Sequence, residues 1–230
     1  MPEFDLLIRG ALIVDGTGRP GFRGSIGIRN GKIVAVGGIP ANADARRVLD
    51  AAGLVACPGF IDMHAHGDLT LLQYPEAESY VMQGVTTIVG GNCGFSPAPL
   101  KNVWLFQFWE YGWWHEIAPY KYMPEPVQPL DKVDEKFREK LGWGITWRSF
   151  GEFLSRVEEV GISINYVPLV GHNTIRATVM EHDYKRKAKP REIREMKAYV
   201  VEAMESGAFG LSTGQPSSLK PSTRTSLRLL

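Results

Sequence analysis

Cysteine is scarce in this sequence. Only Cys57 and Cys93 occur among 230 residues, too few for a disulfide framework, so each reads as either a buried thiol or a metal thiolate. Net charge is nearly absent, with 26 basic against 25 acidic side chains, which removes the electrostatic case for a nucleic-acid or anionic-membrane partner. No run approaches the roughly 18 apolar residues of a membrane helix. The acidic start, Met1-Pro2-Glu3-Phe4-Asp5, lacks the basic head of a signal peptide, so the expected compartment is the cytoplasm. What the chain does have is 44% apolar residues, enough for a substantial core, so a globular fold is expected rather than a disordered tail or a mini-protein.

The fold class expected is α/β, a small all-β sandwich module followed by parallel βα units. Residues 4–57 carry short strand patterns, Phe4 to Ile8, Ala11 to Val14, Ser25 to Ile28 and Lys32 to Val36. The last two meet across Asn30-Gly31, a pair that tolerates the positive φ of a type I′ hairpin. From Pro58 the pattern becomes apolar runs (Gly59 to His66, Gly84 to Gly91, Ile162 to Val170, Ala208 to Thr213) separated by helices, which argues for a parallel sheet. Pro75 to Gly84 and Pro190 to Gly207 are bracketed as helices by proline at the start and glycine past the end. Ser149 and Glu152 form a capping box for a third helix that stops at Gly161.

Residues 101–148 break this rhythm and hold all six tryptophans, Trp104, Trp109, Trp113, Trp114, Trp143 and Trp147, among Pro119, Pro124, Pro126 and Pro129. Such an insertion is either an extra aromatic mini-core or subunit contact, or a lid over a site. The segment 215–230 is set apart as an atypical tail, with Lys220, Arg224 and Arg228, four serines and no acidic residue.

The chemistry concentrates at strand ends. His64 and His66, two residues apart at the end of an apolar run, place two imidazoles on one side of a strand, about 7 Å apart, where they can converge on a divalent ion. Cys93, in Gly91-Asn92-Cys93-Gly94 after the next run, reaches the same face if the two strands are parallel neighbours, and a thiolate is a strong ligand for zinc. His172 ends the third run and could bind substrate, orient a ligand or be a hydrogen-bonded loop residue. Arg176 reads as a solvated residue at a helix start, with a substrate carboxylate as its functional alternative. Cys57 reads as a small buried apolar residue, and His115 and His182 as loop histidines that bind no metal.

Taken together, Pro58-Gly59-Phe60-Ile61-Asp62 before His64-Ala65-His66-Gly67-Asp68, then Gly84-Val85-Thr86-Thr87 leading to Gly91-Asn92-Cys93-Gly94, resemble the metal-dependent amidohydrolases. With Pro97-Ala98-Pro99, Leu169-Val170-Gly171-His172 and Gly207 to Gly214, the chain is similar to their N-acyl-D-amino-acid deacylase (D-aminoacylase) branch. The resemblance runs from about Phe4 to Gly214. It implies a (β/α)₈ TIM-type barrel beside a β-sandwich, with Zn2+ as cofactor. His64 and His66 would serve a weaker site, and Cys93 would hold or bridge the tighter one. The implied reaction is hydrolysis of the amide of an N-acyl-D-amino acid, a carbon–nitrogen bond other than a peptide bond.

Members of this branch take two further zinc-binding histidines from the fifth and sixth barrel strands and a catalytic aspartate from the eighth. This sequence reaches only the fourth strand, so no catalytic residue is assigned in it. A barrel of this type takes about 250 residues. The 157 residues from Pro58 to Gly214 accommodate about four βα units, the amino-terminal half of a barrel. The expected domains are therefore 1–57, 58–214 with the 101–148 insertion, and the 215–230 tail, the last read as the product of a frameshift or early stop. The alternatives are an inactive metal-binding or scaffold chain that pairs with a second copy or a complementing chain, and a cyclic-amide hydrolase of the dihydroorotase or hydantoinase type. The latter is disfavoured because Ala208 to Gly214 offers no lysine for carboxylation.

Overall fold

The computed structural model describes residues 2–108, 111, 113, 116 and 127–214. Trp109, Trp114, His115, Pro119, Pro124, Pro126 and the basic tail fall outside the described residues. The chain divides into two compact units, Met1–Gly59 and Phe60–Leu230.

The first unit is one mixed five-stranded sheet. Strand β1 (Phe4–Ile13) runs antiparallel to β2 (Phe22–Arg29), which pairs with β3 (Lys32–Gly37); β1 also pairs in parallel with β4 (Ala45–Asp50) and β5 (Val55–Ala56). The two strands expected at Phe4–Ile8 and Ala11–Val14 are one strand with an irregularity between Ile8 and Ala11. There Gly10 adopts φ +74°, so a bulge bends the strand without ending it. The β2–β3 turn places both Asn30 (φ 52°) and Gly31 (φ 70°) in the left-handed region, as the hairpin signal requires. Cys57, expected to be buried, is exposed, because it lies past the end of β5 and belongs to no strand.

The second unit is built on four parallel strands in the order β11 (Gly210–Ser212), β10 (Asn165–Gly171), β7 (Val85–Gly90), β6 (Phe60–Asp62). Between β6 and β7 lie two single-turn helices, α1 (Thr70–Gln73) and α2 (Glu78–Val81), in place of the one helix expected from Pro75 to Gly84. Pro75 falls between them and Ala77 takes φ 48°, so the chain breaks where a helix start was expected. The connection from β7 to β10 carries the antiparallel pair β8 (Val103–Trp104) and β9 (Val127–Gln128), then α3 (Leu130–Leu141) and α4 (Phe150–Val160). Helix α4 opens on the Ser149–Glu152 capping box and closes on Gly161 at φ 72°, both as the sequence specifies. Between β10 and β11 lie α5 (His172–Met180) and α6 (Pro190–Glu205). This is a half-barrel of four parallel strands, consistent with a partial TIM barrel. Among the described residues no helix is long and apolar enough to cross a membrane.

The described part of the tryptophan-rich segment is packed into the main core. Phe137 of α3 meets Phe108, Tyr111, Trp113 and Trp143 at ring-centroid distances of 5.1 to 5.3 Å. Trp147, 0% exposed, packs against Phe153 of α4 and donates its indole N–H to the Pro97 carbonyl at 3.0 Å. Burying so large a ring with its one polar atom satisfied stabilises the joint between the insertion and the half-barrel. Trp147→Ala is expected to cost about 3–5 kcal/mol in urea-induced unfolding. An unchanged midpoint would show that this joint is peripheral.

Candidate metal centre

The site lies at the carboxyl ends of β6 and β7. Strand β6 ends at Asp62, two residues before the position the strand pattern gives His64, so the histidines stand on the loop beyond it. The Asp62 carboxylate accepts the His64 N–H at 3.1 Å, a local turn that competes with further strand pairing. The loop brings the rings closer than an extended strand would, with 5.2 Å between centroids. His64 Nε2 lies 3.1 Å from Cys93 Sγ, and one donor atom from each of His64, His66 and Cys93 falls within 4.8 Å of the others.

Ligand bonds of about 2.1 Å to nitrogen and 2.3 Å to sulfur set tetrahedral donor separations of roughly 3.5 Å, so this constellation fits one zinc-sized ion. Two imidazoles and a thiol also form a donor set chemically suited to zinc. Among the described residues these three are the cluster able to hold a metal. Burial, and after it the neighbouring His64 ring, holds the His66 pKa below the usual imidazole value, which favours the neutral form that ligates metal.

Cys93 sits in a tight turn after β7, at φ 56° and between two glycines. Polar groups from all four strand ends fasten this turn. The Asn92 side chain donates to the Ala65 and Val89 carbonyls at 3.2 and 2.6 Å. Asp68 accepts the Gly91 N–H on both oxygens, at 2.8 and 3.0 Å. Asn173, in the first turn of α5, donates to the carbonyls of Cys93 and Gly214 at 3.2 and 2.9 Å. Ser212 of β11 accepts the Gly94 N–H at 3.0 Å and donates to the Gly91 carbonyl. No motif in the sequence singles out Asp68, Asn173 or Ser212 for this task. The signal available is that Asp68 follows the His64–His66 pair and Asn173 follows His172, whereas no neighbour of Ser212 points to the site.

Asp68 is 6% exposed, and burial pushes its pKa up to about 6 against the opposing pull of the Gly91 N–H and the Tyr166 hydroxyl. His172 opens α5 rather than lying in a loop and is 1% exposed. Burial, and then the Arg176 charge, lowers its pKa to about 4. Arg176 is neither solvated nor at the surface. It is 1% exposed within α5 and donates to the carbonyls of Tyr184, at 2.6 Å, and Arg186, which ties down the segment between α5 and α6. His182 is exposed in a single turn at Glu181–Asp183, apart from the metal cluster.

A profile of the amidohydrolase family matches residues 47–225 of the chain. The chain belongs to that family. Within it, the chain falls in the D-aminoacylase and N-acyl-D-amino-acid deacylase branch. It is 39% identical over 212 residues to the N-acyl-D-aspartate deacylase of Alcaligenes xylosoxydans xylosoxydans, covering 92% of this chain and 37% of that protein. A structure of D-aminoacylase, described as having a binuclear metal centre, aligns at 36% identity with a TM-score of 0.73 over 96% of this chain and 40% of the other. The N-acyl-D-glutamate deacylase of Bordetella bronchiseptica, solved with zinc and a phosphonate mimic of the tetrahedral intermediate, aligns at 30% identity with a TM-score of 0.75, covering 99% and 42%. This amidohydrolase chain therefore spans about two-fifths of the length of those relatives.

A pH dependence follows from His172. Its folded pKa, about 4, lies below the ordinary value of 6.5, so its neutral form favours the fold. That contribution is fully present above pH 6.5 and is lost as pH falls through about 4. The shift corresponds to roughly 3 kcal/mol. Unfolding free energies of the parent and His172→Gln across this range should converge as the pH falls, and a constant difference would contradict the assignment.

Proposed function

We propose that this chain carries the metal-holding part of an N-acyl-D-amino-acid deacylase site, with His64, His66 and Cys93 as zinc ligands. The observation that carries the reading is the convergence of those three donor atoms within 4.8 Å at the carboxyl ends of adjacent parallel strands. Bound by His64, His66 and Cys93, zinc would supply Lewis acidity toward an acyl carbonyl and toward water.

The chain's own residues hold and shape the place where that chemistry happens. As ligands Cys93 would contribute a soft sulfur and His66 a neutral ring. Phe95 meets the His66 ring edge-on at 6.5 Å and stacks on Trp104 of the insertion at 5.2 Å. These rings cover one side of the ligand set, with Phe95 facing His66 and the buried Trp104 behind it. His172, with its pKa near 4, acts toward substrate as a neutral hydrogen-bonding group rather than as a charge.

A second reading is favoured by what surrounds the cluster. The buried Asp68 carboxylate is already engaged by Gly91 and Tyr166, and the metal-holding cluster among the described residues contains no carboxylate to move a proton. On that reading the chain holds metal but turns over slowly alone, and a second copy or a complementing chain supplies the proton-transfer group.

Elemental analysis of the purified chain is expected to find bound zinc. Cys93→Ser should weaken zinc affinity by tenfold or more, and equal affinity in parent and variant would defeat the assignment. With N-acetyl-D-amino acids, the chain alone is expected to release D-amino acid far below ordinary enzyme rates of about 1–1000 per second. Turnover within that range would instead establish the chain as a self-sufficient deacylase.

A further inference from the structure

Cys93 is a non-glycine residue held at φ 56°, in a region that side chains enter uncommonly and that persists where surrounding contacts over-determine it. The sulfur's direction is therefore a property of the turn, and the turn begins at Gly91, whose φ is 76°. Asp68 reaches that point from the other strand's loop. Its two oxygens accept the Gly91 N–H at 2.8 and 3.0 Å, and one of them also accepts the Tyr166 hydroxyl of β10 at 3.0 Å. The fit leaves no slack, because a Cβ added to Gly90 would fall on the Asp68 carboxylate and one added to Gly91 on the Leu169 carbonyl. Asp68 also lies two residues beyond His66, so one short segment carries a proposed imidazole ligand and the group that anchors the sulfur-bearing turn.

We propose that Asp68 is a positioning residue of the metal centre, a buried carboxylate that does not bind the metal but anchors the Gly91–Gly94 turn at Gly91 so that the Cys93 sulfur meets His64 and His66. The assignment rests on the metal-holding reading given above. Tyr166 serves it as the second donor, holding the carboxylate in the orientation that faces Gly91. Outer groups of this kind set ligand direction, and losing one typically costs about 10- to 100-fold in metal affinity.

The test uses the full chain with Cys57→Ser as background, so that Cys93 is the sole thiol, and Co2+ as probe. A cobalt–thiolate bond gives an intense near-ultraviolet charge-transfer band that imidazole ligation lacks. The expected result is a band in the C57S parent and its loss, or a midpoint raised at least about tenfold, in Asp68→Leu with native far-ultraviolet circular dichroism. Asp68→Asn, which keeps the shape and one acceptor, should keep the band with an intermediate midpoint.

A D68L chain with unchanged band and midpoint overturns the positioning role and leaves the metal-holding reading standing. If D68L does not fold, D68N decides: a weakened midpoint sustains the role and an unchanged one overturns it. If the C57S parent gives no band, the metal-holding reading fails, and amide exchange in the metal-free chain decides the positioning role separately. Gly91 and Gly94 amides exchanging about tenfold faster or more in the Asp68 variants sustain it, and unchanged protection overturns it.

Discussion

The half-barrel depends on one constraint, the parallel pairing of β6 with β7. That pairing aligns Asp62 with Ile88 and sends both chains out of the sheet at the same end. Only then can the loop after β6 and the turn after β7 share hydrogen bonds, from Ala65 N–H to the Val89 carbonyl, from the Asn92 amide to Ala65, and from Gly91 to Asp68. An antiparallel neighbour would put Cys93 at the opposite end of the sheet from the two histidines. Strand direction is therefore the first determinant of the chemistry, ahead of any ligand's identity.

A second layer of polar contacts converts proximity into geometry. The sulfur-bearing turn is held from the start of α5, just past β10, and from β11 as well, through Asn173 and Ser212, so groups at all four strand ends bear on one side chain. Buried polar groups are costly unless paired, and here the pairing falls on backbone groups of a turn that forms no ladder of its own. The left-handed conformation of Cys93 is kept by that network.

The aromatic insertion contributes differently. Its described residues close a large apolar cluster over α4 and α6, and Trp104 continues it through Phe95 to His66. Core and site are thus contiguous, and the segment that breaks the βα rhythm is where they meet. The lid that the sequence also allowed calls for a segment free to leave the site, and the full burial of Trp104, Phe108 and Trp147 ties the described part to the core.

Several elements were legible because their signals are local. Asn30-Gly31 dictates its hairpin, Ser149 with Glu152 starts α4, Pro190 starts α6, and apolar runs separated by helices specify parallel strands. The three proposed ligands were legible too, since a paired histidine motif and a glycine-flanked cysteine each close an apolar run. What tertiary structure alone decided is where competing demands meet. Pro75 separates two single turns instead of opening a helix, α5 is helical and buried although it begins with Gly171-His172-Asn173, and Arg176 spends its charge on backbone carbonyls inside the fold. Asp68 belongs with these. A carboxylate's partners across the sheet are set by contacts 23 and 98 residues distant, and no periodicity or spacing along the chain encodes an interaction of that range.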